Sequence, residues 1–271
     1  MMSRLLAVFA LSASMAWAQR PSETEAAAIF EKARDRALAY ARSLPDFICT
    51  EVVHRFSETR AIRRQAGSIP TAVEHRWVPS DKLTIRLSYS QHKEEHKLLL
   101  LDDKPSDRTY ENLSGGTGTG EFGGTLLNIF TAESQTSFKW QSWKTVRRHR
   151  AAVFTYSVDA AHSRYMVLNA LGGDNHEAVV SFHGDLEVDR ETGEILHFTY
   201  VADRIPKAVN LDLVSTTVDY DFADVGGRNY LLPAHSATEI ISPRLSVLND
   251  ANFREYRKFS ADSVIDFGTA K

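Results

Sequence analysis

Cysteine is almost missing from this chain of 271 residues: Cys49 stands alone. No intrachain disulfide can form, even in a compartment that permits them. Cys49 lies in the apolar run DFICTEVVHRF, where a free thiol is expected to be a small buried hydrophobe. Basic runs are scarce as well. The chain carries 32 Lys and Arg against 35 Asp and Glu, a formal charge of −3, with no basic run beyond Arg147-Arg148-His149-Arg150. That leaves no stripe for gripping phosphates, so no nucleic-acid partner is expected. Pro- or Ser-rich linkers, internal repeats and low-complexity blocks are also missing, and residues 19–271 are expected to form a single domain. Past residue 18 no apolar stretch is long enough to span a bilayer, so no integral membrane segment is expected there.

The one long apolar run stands at the start. MMSR supplies Arg4, LLAVFALSASM has the length of a signal peptide's apolar region, and Ala16-Trp17-Ala18 supplies a small-x-small cleavage site. Residues 1–18 are therefore read as a signal peptide, with Gln19 as the mature N-terminus. No cysteine follows the site to carry a lipid anchor. The expected location is outside the cytoplasm, in the periplasm or beyond the cell.

A helix is expected over about 22–44. Ser22 and Glu25 form a capping box, and Ala26, Ile29, Phe30, Ala33, Ala37, Tyr40, Ala41 and Leu44 recur at 3–4 spacing before Pro45. The period then drops to two. Leu83, Ile85, Leu87 and Tyr89 alternate with polar residues, as do Val180, Phe182, Leu186 and Val188, and Val214, Val218, Tyr220 and Phe222. Gly193 in VDRETGEI and Gly226-Gly227 in DVGGRNY supply hairpin turns, so neighbouring strands run antiparallel. The fold class is α+β: a curved antiparallel sheet packed on an N-terminal helix. A helical insertion is expected over about 121–136, across one mouth of the sheet, from Phe122, Leu126, Ile129 and Phe130.

Two motifs invite a chemistry that their surroundings refuse. Gly118–Gly123, GTGEFG, spells the dinucleotide fingerprint, but KLLLL ends well before it and no acidic residue follows at the ribose position. It reads as a glycine-rich loop entering a helix, with Glu121 near the helix's positive end. His92–His96, HKEEH, matches the inverted zincin pattern, which needs a helix to bring His92 and His96 to one zinc beside Glu95. Here a hairpin tip is expected, and the motif reads as a solvated charged turn. The pairs Asp219 with Asp221 and Glu187 with Asp189 share strand faces and read as solvated. The other histidines show no ligand spacing, and no G-x-S-x-G elbow occurs. No catalytic residue, metal ligand or cofactor is assigned.

Aromatics carry the remaining signal. FKWQSW places Phe138 and Trp140 on one strand face, with Trp143 close by, just after the insertion. The candidate ligand-binding residues are Phe122, Leu126, Phe130, Phe138, Trp140 and Trp143, lining a cleft between sheet and helix.

Three segments, SLPDFICTEVVHRF, GEFGGTLLNIFTAESQTSFKWQSW and the terminal NYLLPAHSATEI with NFREYRKFSADSVIDF, resemble an uncharacterised family of secreted bacterial proteins. In element order the chain also resembles the lipoprotein-carrier half-barrels of the LolA, LolB and RseB type. That resemblance implies a curved sheet whose concave side is plugged by short helices and holds acyl chains or a peptide. The polar stretch between Ser57 and Lys82 departs from it. The expected role is a non-enzymatic envelope binding protein for a lipid, lipoprotein acyl chain or other apolar ligand. The alternatives are an interaction or sensory module that binds another envelope protein, and a hydrolase with an unrecognised site.

Overall fold

The structure is a computed structural model and describes residues 20–59, 76–91, 93–110, 113, 121–169 and 176–259. The proposed leader, His92 and the glycines ahead of Glu121 lie outside the described residues.

Helix α1 spans Glu23–Ser43. Ser22 Oγ accepts from the Glu25 amide at 3.1 Å, satisfying one of the open donors of the first turn. The reciprocal half of the box is used elsewhere, because the Glu25 carboxylate pairs with Arg190 at 2.6 Å. Ile29, Ala33, Ala37, Tyr40 and Leu44 form the buried stripe. Gly193, at φ +77°, lets its hairpin come close to the helix: a Cβ there would lie 2.6 Å from Lys32 Cβ. Lys32 Nζ and Arg36 Nε then reach the carbonyls of Glu191 and Thr192.

Thirteen strands follow among the described residues. They are β1 (Phe47–Thr59), β2 (Val78–Ser90), β3 (Lys93–Leu101), β4 (Lys104–Pro105), β5 (Ser137–Val146), β6 (His149–Val158) and β7 (Met166–Asn169). The rest are β8 (His176–Val179), β9 (Ser181–Asp189), β10 (Ile195–Asp203), β11 (Leu213–Asp224), β12 (Asn229–Ile241) and β13 (Leu245–Lys258). Eleven join one open, curved sheet in the order β4-β3-β2-β1-β13-β12-β11-β10-β9-β6-β5, while β7 and β8 form a separate hairpin. Every paired neighbour is antiparallel, as the hairpin chemistry requires. The pairing of β1 with β13 joins the first strand of the chain to the last.

Cross-strand register puts one residue of every second position on the inner face. One row runs Leu83, Val53, Ala251, Ser236, Val218, Phe198, Leu186, Phe154 and Trp140 from β2 to β5. Helix α2 (Gly124–Phe130) covers this face together with α1, followed by a short 3-10 turn at Ala132–Ser134. The helical insertion crosses the inner face itself rather than one mouth. Phe122 packs on Phe47 of β1, Tyr89 of β2 and Phe253 of β13, while Phe130 reaches Phe138 of β5.

Candidate functional site: the covered inner face

The site is a sandwich with the sheet as floor and α1 and α2 as cover. Phe122, Leu126, Ile129 and Phe130 are each at most 5% exposed. Burial of each side chain contributes about 1.5–3 kcal/mol, which makes apolar packing the main hold on this short helix. Its polar ties are few. Tyr220 Oη donates to the Glu121 carbonyl at 2.5 Å, and the Thr136 and Ser134 hydroxyls donate to the Ile129 carbonyl at 2.6 and 3.1 Å.

The six candidate residues divide between three places. Phe122 belongs to an aromatic cluster at the β1–β2–β13 side, with Phe47 stacked on Tyr89 at 5.2 Å. Leu126 sits mid-face, beside Tyr40 and Tyr220, over a crevice of about 10 Å³. Phe130 and Phe138 meet at 5.3 Å at the far side, both against Phe30 of α1. Trp140 and Trp143 continue this cluster to the edge strand. A bulge between Trp140 and Ser142 returns Trp143 to the face of Trp140, and the rings stand 6.4 Å apart. Trp143 also lies under the Arg150 guanidinium, 4.3 Å from its ring centre.

Among the described residues, the crevice under Leu126 is small and wider clefts lie beside Phe222. Clefts of about 260 and 270 Å³ flank Phe222, which is 54% exposed. The second cleft shares Tyr220 and Leu231 with the crevice under Leu126.

One stretch of the floor is polar. Glu51 and Arg55 of β1, Ser236 of β12 and Asn249 of β13 line a cavity of about 20 Å³ closed over by Tyr110 and Glu121. Burial raises the Glu51 carboxyl to about 8, helped by Glu121 and Glu94. Burial also raises Glu121. Glu121 is thus no helix-end charge: α2 starts at Gly124, its cap is Gly123, and the Glu121 residue is 7% exposed. His96 is likewise no solvated turn residue. It faces inward on β3, stacked on Tyr110 at 4.8 Å, with Nε2 3.8 Å from Glu51. Glu95 alternates to the exposed side of the same strand, so the two cannot share a metal. Among the described residues no group of three or more His, Cys, Asp or Glu is placed to hold a metal ion.

The outer face also departs from the expectation of solvated carboxylates. Glu187 and Asp189 are 6% and 3% exposed. Lys144 holds Glu187 at 2.5 Å, while Asp189 accepts from the Glu191 and Thr192 amides and pairs with His149. Asp219 pairs with His197 at 2.8 Å and His235 at 3.4 Å, and His235 reaches Asp250 at 3.3 Å. These four residues come from four consecutive strands of the sheet, so no sequence spacing announces them. The His197 hydrogen bond holds the Asp219 carboxyl below its ordinary range.

No family model matches the chain, and no curated protein matches it. Among solved structures, the chain is similar to a LolA superfamily protein from Nitrosomonas europaea at 10% identity and TM-score 0.36, over 87% of this chain and 94% of the other. It is similar to a putative outer membrane lipoprotein-sorting protein domain from Vibrio parahaemolyticus at 11% identity and TM-score 0.37, over 89% and 95%. A DUF1329 family protein from Desulfovibrio piger is similar at 10% identity and TM-score 0.36, over 89% and 94%.

Proposed function

We propose that the protein is a non-enzymatic envelope binding protein that takes an apolar chain, such as a lipid's acyl chain, between the inner face of its sheet and helix α2. The observation that carries this reading is the nature of the cover. α2 is held by Phe122, Leu126, Ile129 and Phe130 and by few polar ties. Methylenes of a ligand can replace those side chains without leaving a hole. The cleft of about 270 Å³ beside Phe222 supplies an entrance, since it adjoins the crevice under Leu126 through Tyr220 and Leu231. The candidate residues then have distinct roles. Phe122, Leu126 and Phe130 are displaced, while Phe138, Trp140 and Trp143 stay as the wall along which the chain lies. The leader read over residues 1–18 fits a place of action in the periplasm or outside the cell. Native mass spectrometry of protein purified without detergent is the test: a bound lipid-sized mass is expected, and uniformly ligand-free protein would sink the idea.

A second reading, an interaction module for another envelope protein, is favoured by one feature. Met166, Leu168 and Val179 on the β7–β8 hairpin are 54%, 49% and 50% exposed, and Met166 pairs directly with Val179. A co-purifying protein lost on Met166→Ser with Val179→Ser would support that reading over the first.

A further inference from the structure

Among the described residues the inner face is mostly apolar, and one polar niche in it brings the carboxyl groups of Glu51 and Glu121 together. Glu51 and Glu121 are 6% and 7% exposed, on opposite walls of the cavity of about 20 Å³, a space of roughly one water molecule. Among the described residues Glu51 Oε2 is buried with no hydrogen bond, and His96 Nε2 lies 3.8 Å from it. The Glu121 carboxyl has its own main-chain amide and the Ser236 hydroxyl, the latter at 3.5 Å, as its hydrogen-bond partners. The Arg55 guanidinium, which also lines the cavity, grips Asp81 through two bonds of 2.6 and 2.5 Å. Glu94 of β3 adds a further carboxylate to the surroundings of Glu51. Among the described residues, acid therefore exceeds base at this spot. Uncompensated carboxylates are costly to bury: burial raises the Glu51 carboxyl to about 8 and moves Glu121 in the same direction.

We propose that this niche is the head-group subsite of the apolar site, and that the head it takes is a protonated amine. The inference rests on the apolar-chain reading and names the class of amphiphile. An ammonium carries three donors and one positive charge, which match the open acceptors of Glu51 and Glu121 and let both ionise. The tail has a contiguous path. Phe253 is the cross-strand partner of Glu51, and Phe253 touches Phe122 of the cover at 5.7 Å. A head on Glu51 therefore leaves its chain at the aromatic cluster where α2 begins. An anionic head would bring a further buried negative charge into a niche already crowded with carboxyl groups and could not offset their ionisation, so it is disfavoured.

Equilibrium binding at pH 7 of three probes with the same tail separates head from chain: dodecylamine, dodecanol and dodecanoate, each below its micellar concentration. Dodecylamine is expected to bind at least tenfold tighter than dodecanol, with dodecanoate weakest. Glu51→Gln and Glu121→Gln, which keep shape and remove charge, are expected to erase the amine preference while dodecanol affinity stays within about twofold. Circular dichroism checks that both variants fold. Equal affinity for amine and alcohol, an amine preference that survives both substitutions, or a preference for dodecanoate overturns the niche but leaves the apolar site standing. Failure of all three probes to bind removes both.

Discussion

The Tyr220 hydroxyl donates to the Glu121 main-chain carbonyl at 2.5 Å, which pins the start of the cover to the centre of the floor. Both groups are buried, and Tyr220 is held upright by Tyr40 edge-on at 5.7 Å and by Phe198 stacked at 6.0 Å. Removing the hydroxyl alone orphans a buried acceptor. Tyr220→Phe is expected to cost about 1–3 kcal/mol in chemical denaturation. It should also speed amide exchange through α2 more than through β11. An unchanged α2 exchange rate would mean that the bond does not hold the cover.

The floor is close-packed where Gly184 of β9 faces β10. A Cβ at this position would lie 1.9 Å from the Thr199 carbonyl oxygen and 3.0 Å from Tyr156 Oη, which itself donates to that carbonyl. Gly184→Ala therefore forces β9 and β10 apart. The expected loss is about 1–3 kcal/mol or more, read as a lower denaturation midpoint. Gly227, with a free space around it but φ +85°, should cost less when replaced by Asn, which tolerates the left-handed conformation.

Stability against pH has two limbs with different owners. Glu51 is raised in the folded state to about 8, so the native protein binds the extra proton and stability falls as pH rises from the ordinary glutamate range towards 8. Asp219 is lowered, so its contribution is present at neutral pH and is lost as pH falls through the acid range. Glu51→Gln is expected to make the alkaline limb shallower without touching the acid limb, and Asp219→Asn the reverse. Thermal midpoints from pH 3 to 9 for the three proteins test this; a single substitution that flattens both limbs would refute the assignment.

Much of the architecture was legible from local periodicity. The helix with Ile29, Ala33, Ala37 and Tyr40 inside, the alternation of Leu83 to Tyr89, and the turns at Gly193 and Gly226 each follow from neighbours in the chain. What escaped depends on partners far away in sequence. Glu121 reads as a helix-end charge because its burial is decided by Tyr110, Ser236 and Asn249, residues from other elements. His96 reads as part of a turn because one residue of strand register separates a solvated histidine from one stacked on Tyr110. The ladder His197, Asp219, His235 and Asp250 takes one residue per strand and leaves no spacing to find. The Trp140–Trp143 pairing needed a bulge, which period-two counting cannot foresee.

The edge-strand tryptophans should report the ligand. Trp140 stands against the core and Trp143 packs under Arg150, so a chain arriving along this wall changes their surroundings. Titration with dodecanol is expected to shift the emission of the native protein and to leave that of Phe138→Ser, with its wall broken, largely unchanged. A response that is identical in the two proteins would place the chain elsewhere.

The most direct measurement is site mapping with a light-activated C16 alcohol bearing a diazirine near its tail end. After irradiation and peptide mass spectrometry, adducts are required on α2 and on inner-face residues of β5, β6 and β11, with Phe138, Trp140 and Tyr220 among them. Adducts confined to Phe222 or to Met166, Leu168 and Val179 on the outside, or none above an unreactive control, would show that no chain enters between sheet and helix.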